Sequence, residues 1–259
     1  MTKNCYFQRL RRTYFTVGEY NILTVDWEPL ALSPWYNSAC KNTEVVGRKT
    51  AQFVSWLVAE MGVSYGDVHV LGSSLGAQAA GYVGHFTGGA LGRITGLDPS
   101  GPLFYSVGSR DRLDRSDAQF VDIIHTAGYW VGSSLATGHT DFYPNKGLAP
   151  QPGCEDSESL DLSCSHFTAW RLYIQSVRRI KERSLPPLLA IQCRSYQAFQ
   201  SGQCCHNTQP VLAQLGELVD RRARGVFYLS TGPRGSYNLP VNTATNCDLA
   251  QKHVNISDY

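Results

Sequence analysis

The hydrophobic and polar positions of this chain alternate between short apolar runs and longer helical stretches. Residues 20–27 and 93–97 have the apolar and β-branched composition of strands, and residues 43–61 are predicted to form a helix. Residues 68–77 read as a buried strand that enters an Ala-rich helix. Consecutive strand–helix–strand units place parallel strands side by side, so the pattern predicts an α/β fold with a mostly parallel, helix-flanked sheet.

The second half of the chain is predicted with less detail. Residues 120–124 and 225–231 read as strands, and residues 207–220 read as a loop. Residues 232–259 are polar and are predicted to be a C-terminal tail. No internal repeat or low-complexity segment interrupts the chain.

Length and charge narrow the function classes. The 259 residues are 42% hydrophobic, which is enough for one compact domain, and the formal net charge of +2 does not favour a nucleic-acid partner. No stretch approaches the length of a transmembrane span. No motif calls for a cofactor. The eight cysteines favour an oxidising compartment.

The strongest chemical signal is Gly-x-Ser-x-Gly centred on Ser74, between a predicted strand and a predicted helix. A sharp strand-to-helix turn lifts the serine hydroxyl clear of the sheet. We expect side chains at Gly72 and Gly76 to collide with the neighbouring backbone. We also expect the Leu75 amide, at the helix N-terminus, to point at a developing oxyanion.

A nucleophilic serine needs a base and an orienting carboxylate. Asp98 ends the next predicted strand, at the sheet edge expected for Ser74, and is the leading acid; it could instead simply initiate a turn before Pro99. Asp122 and Asp141 are rivals. Seven histidines compete for the base, and His166 is the best placed because it is predicted to open a helix two residues after Cys164.

Several longer motifs resemble the pancreatic lipase family of animal neutral lipases and phospholipases A1. They are Gly-Arg-Ile-Thr-Gly-Leu-Asp-Pro at 92–99, Phe-Val-Asp-Ile-Ile-His-Thr at 120–126, Gly-His-Thr-Asp-Phe-Tyr-Pro-Asn at 138–145 and Cys-Ser-His at 164–166. Asp98 follows Ser74 by 24 positions, as in the family. The resemblance covers roughly residues 10–232.

The resemblance implies an α/β-hydrolase fold in which Ser74, Asp98 and His166 are nucleophile, acid and base. Two positions depart from the family, which usually has histidine where this chain has Ser73 and Gln78. Neither belongs to the triad. The resemblance also implies that residues 1–259 are a single, incomplete catalytic domain without a C-terminal β-sandwich.

By the same resemblance, Cys154 and Cys164 form the disulfide of a lid, and Cys193 and Cys204 form a second disulfide. The sequence offers no basis for pairing the other four cysteines, which are Cys5, Cys40, Cys205 and Cys247. Asp114 and Asp117 match part of a calcium loop seen in some relatives, and a further family carboxylate falls at Ser109. Two carboxylates are few for calcium, so no metal is assigned.

The predicted lid indicates a substrate class. It is only nine residues long and acidic, with Glu155, Asp156, Glu158 and Asp161, whereas triglyceride lipases of this family carry a long apolar lid. The segment 129–137 is also short; its Trp130, Val131 and Leu135 are candidates for lipid contact or for ordinary loop anchoring. Short loops resemble phospholipase A1, a galactolipid lipase or a broad esterase.

The N-terminus is expected to be incomplete. Residues 1–12 lack the apolar core of a signal peptide, and nothing matches the family's His-Gly-aromatic motif, which supplies a second oxyanion amide. We therefore expect a secreted protein whose first strands and signal peptide are missing from this chain. The leading hypothesis is an extracellular serine hydrolase acting on lipids. The alternative is a weakly active or inactive lipid-binding or storage protein on the same fold.

Overall fold

The structure is a computed structural model that describes residues 3–31, 35–155, 162–205 and 210–233. Six α-helices lie within these ranges: α1 Lys3–Val17, α2 Tyr36–Met61, α3 Leu75–Phe86, α4 Ser163–His166, α5 Thr168–Arg178 and α6 Tyr196–Gln200. Seven strands lie there as well: β1 His69–Ser74, β2 Arg93–Pro99, β3 Val121–Ile124, β4 Thr140–Pro144, β5 Leu189–Gln192, β6 Leu212–Gln214 and β7 Gly225–Leu229.

All seven strands form one sheet in the order β1-β2-β3-β4-β7-β5-β6. The first five in that order are parallel, and β5 runs antiparallel to both β7 and β6. The predicted α/β fold with a mostly parallel sheet is therefore confirmed. Parallel strands bring their carboxyl ends to one edge, which is where α/β folds place their sites.

Apolar side chains cover both faces of the sheet. Alternation along β3 shows this directly, because Ile123 packs in one core cluster and Ile124 in the other. The first cluster joins strand residues to α2 and α3, with Val54, Ala80, Val83, Leu91 and Ile94 among its members. The second joins the opposite face to α1 and α5, with Leu10, Tyr14, Trp170, Leu172 and Phe142 among its members.

The predicted strand at residues 20–27 is wrong. These residues have no ladder partner and no regular structure, and Leu23 and Val25 are half exposed or more. A strand is stabilised by pairing and by packing of alternate side chains, not by composition alone. Within the described residues, nothing pairs with the free edge of β1, so this apolar segment has no ladder to join.

Three further boundaries differ from expectation. The predicted loop 207–220 contains β6, which pairs with β5, so that prediction is wrong in its middle; residues 206–209 lie outside the described ranges. The helix predicted from residue 43 begins at Tyr36 and ends at Met61 before Gly62, whose φ is +69°. His166 closes the short α4 instead of opening α5, which begins at Thr168.

Two disulfides join the cysteine pairs that the resemblance implied. Cys154 bonds Cys164 and Cys193 bonds Cys204, with Cα–Cα distances of 5.7 and 5.6 Å. Cys40 is a buried free thiol. Cys247 and the tail from residue 234 lie outside the described residues, as do lid residues 156–161. None of the described helices is long and apolar enough to cross a bilayer.

Candidate active site

Ser74 lies where β1 ends and α3 begins. Its φ and ψ are 56° and −127°, a strained backbone conformation for a residue with a side chain. A Cβ at Gly72 would lie 2.1 Å from the Gly76 carbonyl oxygen, so the elbow requires glycine there. A Cβ at Gly76 would meet nothing within 4 Å, so the collision expected at Gly76 is wrong.

Leu75 is the first residue of α3, directly after Ser74. The first amides of a helix lack intrahelical partners, and the helix dipole gives them positive potential. An oxyanion formed at Ser74 would therefore meet an available donor. The role of the Leu75 amide as oxyanion donor stays a prediction.

Asp98 lies near the end of β2, beside the elbow, where Ser74 pairs in register with Pro99. Its side chain is fully buried and has three hydrogen-bond partners. Oδ1 accepts from the amides of Thr126, at 2.7 Å, and Ala127, at 3.1 Å. Oδ2 is 2.5 Å from His166 Nδ1. The carboxylate is thus held in one orientation, facing the histidine.

His166 is brought to this edge by α4, directly after the Cys154–Cys164 disulfide. The Asp98 carboxylate accepts, so Nδ1 carries the proton and donates it. In the neutral ring Nε2 then remains an acceptor, which is the tautomer that a general base requires.

The Ser74 hydroxyl is not joined to this pair. Within the described residues no hydrogen bond links it to His166; its Oγ instead lies 3.4 Å from the Oγ of Ser100. The predicted direct hydrogen bond between Ser74 and His166 is therefore not formed in this structure. His166 remains the candidate base, because the contact with Asp98 at Nδ1 leaves Nε2 as the acceptor of the neutral ring.

The two rival carboxylates, Asp122 and Asp141, bind other side chains. Asp122 is fully buried and forms a two-pronged ion pair with Arg93, at 2.8 and 2.9 Å. Asp141 is 2.8 Å from His125 Nε2, and the Nδ1 of that ring lies 2.7 Å from the Ser133 carbonyl. Both carboxylates are therefore bound to side chains other than His166.

Two further described histidines have hydrogen-bond partners in the core, and His85 contacts the Phe86 ring on α3. His69 Nε2 lies 2.8 Å from Thr95 Oγ1, and burial lowers the pKa of His69 well below its usual range. Burial also lowers the pKa of His139, whose Nδ1 accepts from the Val121 amide. His253 lies outside the described residues.

Sequence reasoning missed four residues that contribute to the site. The amides of Thr126 and Ala127 orient Asp98, and Gly132 lies against the same carboxylate, so that a Cβ there would fall 2.5 Å from both oxygens. Ser100 contacts the nucleophile. A backbone amide can donate whatever side chain its residue carries, so the sequence does not reveal the donors at Thr126 and Ala127. Only the residue types at Gly132 and Ser100 could have indicated a role in the site.

Gln78, one of the two departures from the resemblance, has a structural role. It is buried, its Nε2 donates to the Ser100 carbonyl at 2.7 Å, and its Oε1 accepts from the Leu113 amide at 2.8 Å. It therefore ties α3 to the chain that follows Asp98.

Asp114 and Asp117, the candidates for calcium, cap a short 3₁₀ helix at residues 115–117. Asp114 accepts from the Ser116 amide, and Asp117 Oδ2 accepts from the Asp114 amide at 2.8 Å, a capping box. Burial raises the pKa of Asp117 to about 7. The two carboxylates accept hydrogen bonds from backbone amides of the same turn. No cluster of metal-ligating side chains occurs among the described residues.

Exposed apolar side chains lie in two segments that contact each other at Gly132 and Tyr129. Tyr129 and Trp130 are 73% and 60% exposed in the segment beside Gly132. Leu103 and Tyr105 come from the chain that follows Asp98, and the Tyr105 hydroxyl donates to the Gly132 carbonyl at 2.9 Å. Lid residues 156–161, which include most of the predicted acidic residues, lie outside the described ranges.

A parallel sheet, a serine on a strained strand-to-helix turn and a buried Asp–His pair at the same edge together define the α/β-hydrolase class. The Lipase family profile matches residues 1–237. The chain therefore belongs to the lipase family, and the resemblance to pancreatic lipases is confirmed.

Three relatives illustrate the match. The chain is 36% identical over 250 residues to pancreatic triacylglycerol lipase of Ictidomys tridecemlineatus, covering 86% of this chain and 52% of the relative. It is 37% identical over 214 residues to phospholipase A1 member A of Rattus norvegicus, covering 82% and 45%. It is 39% identical over 202 residues to lipase member H of Rattus norvegicus, covering 77% and 43%. The chain thus spans about half the length of these relatives.

Proposed function

We propose that this protein is a serine carboxylic-ester hydrolase acting on lipids. The observation that carries the proposal is the 2.5 Å contact between His166 and a buried Asp98 at the sheet edge where Ser74 lies on its strained turn. The proposal assigns Ser74 as nucleophile, His166 as base and Asp98 as orienting acid. A lipid-binding protein would need neither the strained serine nor the oriented imidazole.

In this mechanism the Ser74 oxygen attacks the ester carbonyl while His166 Nε2 takes its proton. Asp98 stabilises the imidazolium that forms, and the Leu75 amide donates to the oxyanion. The imidazolium then protonates the leaving alcohol, which departs and leaves an acyl-enzyme. A water molecule, deprotonated by the same ring, attacks the acyl group; collapse releases the fatty acid and restores Ser74 with its proton.

The proposed substrates are phospholipids, hydrolysed at the sn-1 ester, and short-chain esters. Support comes from the short disulfide-closed lid loop and from the relatives, which include a phospholipase A1 as well as triacylglycerol lipases. Nine residues between bonded cysteines are too few for a large apolar cover. We also propose secretion, which the two disulfides favour.

Fatty-acid release from phosphatidylcholine micelles and from a short-chain ester tests the activity. Ser74→Ala should lower kcat by several powers of ten, because no nucleophile remains. Ser201→Ala, at the exposed residue that follows α6, is the matched control and should match the parent. Lipid binding without ester hydrolysis in the parent would replace this proposal with the lipid-binding alternative.

The substrate preference is tested separately, by comparing sn-1 release from phospholipid with release from long-chain triglyceride. Faster turnover of triglyceride would overturn the phospholipase A1 assignment and leave the ester-hydrolase proposal in place.

A further inference from the structure

His125 is a buried histidine that the proposed mechanism does not use. It follows β3 directly, and its ring is fully buried. Its Nδ1 lies 2.7 Å from the Ser133 carbonyl oxygen, and its Nε2 lies 2.8 Å from Asp141 Oδ1. Both ring nitrogens therefore face an oxygen atom at hydrogen-bond distance.

These two oxygens fix how many hydrogens the ring carries. A carbonyl oxygen and an ionised carboxylate only accept, so each contact needs a hydrogen on the ring nitrogen. A neutral imidazole carries one hydrogen and would leave two acceptors facing each other at one of the contacts. Imidazole is a stronger base than a carboxylate, so the second hydrogen belongs to the ring. The contacts therefore fit an imidazolium paired with the Asp141 carboxylate.

The surroundings of the pair suit a buried ion pair. Asp141 is 2% exposed, and its Oδ2 accepts from the Gly138 amide at 3.0 Å. The Tyr143 ring stacks on the imidazole, with the ring centroids 4.3 Å apart and an angle of 8° between the planes. An aromatic face attracts a cation, and a buried charge needs paired partners. Here every polar side-chain atom of the pair has a partner.

His125 stands at the beginning of the loop 126–133, which orients Asp98. The two amides that follow it, those of Thr126 and Ala127, donate to Asp98 Oδ1 at 2.7 and 3.1 Å. Both donors are continuous in backbone with the residue that bears the ring. A shift of His125 would therefore shift both donors.

Ser133 lies at the other end of this loop. Its carbonyl accepts from the His125 ring, and the neighbouring Gly132 lies against the Asp98 carboxylate. The His125 side chain thus joins the two ends of the loop, and Asp141 anchors that side chain to β4. One ion pair therefore holds both parts of the loop that contact Asp98.

We propose that His125 and Asp141, as an imidazolium and a carboxylate, are positioning residues that hold the loop 126–133 and, through it, the Asp98 carboxylate. The inference rests on the proposed function, in which Asp98 orients His166. The pair acts through Asp98 and not on the substrate.

Asp141→Asn separates the charge of the pair from its contacts. The new amide can donate to Nε2 of a neutral ring while its oxygen accepts from the Gly138 amide, and Nδ1 still donates to Ser133. Every contact is kept with one hydrogen fewer on the ring. The kcat of this variant should remain within about 3-fold of the parent value, no more than one weak hydrogen bond is worth.

Asp141→Ala removes the contacts as well as the charge. The Nε2 atom then has no acceptor, and the loop loses its anchor on β4. Because a small displacement of a catalytic group is costly, kcat should fall about 10- to 100-fold.

Both kcat values are measured with a soluble short-chain ester and divided by the number of sites that an alkyl phosphonate labels, so that unfolded protein is not counted. Leu10→Ala, a core substitution in α1, is the control for lost stability. It should unfold more easily and keep the parent's kcat per labelled site.

NMR of isotopically labelled histidine reports both rings directly. In the parent His125 should carry hydrogens on both nitrogens, and in Asp141→Asn on Nδ1 alone. The His166 Nδ1 hydrogen, which contacts Asp98, should keep its resonance in Asp141→Asn and shift in Asp141→Ala. A purely structural role would lower the melting temperature and leave that resonance and kcat per labelled site unchanged.

A single ring hydrogen on His125 of the parent would overturn the inference, and this measurement decides even if Asp141→Ala does not fold. A fall in kcat of more than about 10-fold in Asp141→Asn would overturn it too, because the contacts that are kept should suffice.

Failure of the proposed function has a different signature. If the phosphonate does not label Ser74 and Ser74→Ala hydrolyses ester as fast as the parent, the hydrolase proposal falls and this inference falls with it. If Ser74 is labelled and required, but Asp141→Ala keeps the parent's kcat per labelled site, only the inference falls.

Discussion

At the residue scale, three buried carboxylates differ in their partners and not in their burial. Asp98, Asp122 and Asp141 are each 0–2% exposed. Asp98 is bound by two backbone amides and by the imidazole of His166. Asp122 is bound by the guanidinium of Arg93. Arg93 begins β2, whereas Asp98 lies near the end of that strand. The same residue type therefore orients an imidazole in one place, where we propose a chemical role, and forms a buried ion pair in another.

A paired substitution separates these two roles. Asp98→Asn should lower kcat by about 10³- to 10⁴-fold with the fold kept, because the amide no longer selects the correct tautomer of His166. Asp122→Asn should remove the closer of the two carboxylates that pair with the buried Arg93 guanidinium, leaving Glu217 at 3.3 Å, and cost up to about 3–5 kcal/mol of unfolding free energy. Ester hydrolysis and urea denaturation of both variants check the prediction. An Asp122→Asn protein with normal stability but no activity would reverse the assignment.

Asp117 gives a prediction of pH dependence. Burial raises the pKa of Asp117 to about 7, from a value of 3.8 in the absence of the fold. Between these values the unfolded chain releases the proton and the folded protein keeps it, so the contribution of this group to stability falls as pH rises. Asp117→Asn should therefore gain melting temperature relative to the parent between pH 4 and pH 8.

The control for this substitution is Asp111→Asn, at an exposed carboxylate on the neighbouring turn. It should follow the parent at every pH in thermal melts. Parallel melting curves for Asp117→Asn and the parent across the range would mean that Asp117 is ionised in the folded protein throughout.

At the element scale, the junction of β1 with α3 decides whether the serine is presented. The turn depends on one close backbone approach, at Gly72, and not on both glycines of the motif. The two glycines of the motif therefore differ in how strictly the structure requires them. Gly72 is needed because α3 passes directly over it, whereas Gly76 faces space that a methyl group can occupy.

Two alanine substitutions test this difference. Gly72→Ala places a Cβ 2.1 Å from the Gly76 carbonyl oxygen, and should cost at least about 1–3 kcal/mol and disturb the elbow. Gly76→Ala meets no atom within 4 Å and lies in α3, where alanine is favoured over glycine by about 1 kcal/mol. It should be neutral or stabilising in chemical denaturation. Equal destabilisation by both would contradict the geometry.

At the scale of the whole molecule, α1 contacts elements that come much later in the chain, α5 and the segment that contains Glu217. Tyr14 of α1 hydrogen-bonds to Tyr173 of α5 at 2.8 Å and to Glu217 at 2.9 Å. Glu217 also pairs with Arg93 at the start of β2. The Tyr14 hydroxyl thus has two hydrogen-bond partners that lie 159 and 203 positions away in the sequence.

The contribution of α1 is measurable with two residues of the same helix. Leu10 is 6% exposed and packs in the core, so Leu10→Ala should cost about 2–5 kcal/mol. Phe15 is 56% exposed, and Phe15→Ala should change stability by less than about 0.5 kcal/mol. Denaturant midpoints of the two variants give the comparison. If Leu10→Ala unfolds at the parent's midpoint, α1 is not part of the cooperative domain.

The sequence by itself determined the class of fold and the candidates for the site. Strand–helix alternation predicted the parallel sheet, because hydrophobic periodicity is a local property. The serine motif and its distance from Asp98 and His166 were readable because family motifs preserve spacing. Both disulfides that the resemblance implied are present, and they join cysteines that are close in sequence.

Only the tertiary structure decided what depends on distant partners. Residues 20–27 have a strand's composition but no neighbour to pair with, and β6 exists because β5 lies beside it. Three aspartates with the same local appearance were separated by contacts with residues at least 16 positions away. The hydroxyl partner of Ser74 lies 26 positions along the chain. Such contacts are set by the packing of whole elements, which local pattern does not encode.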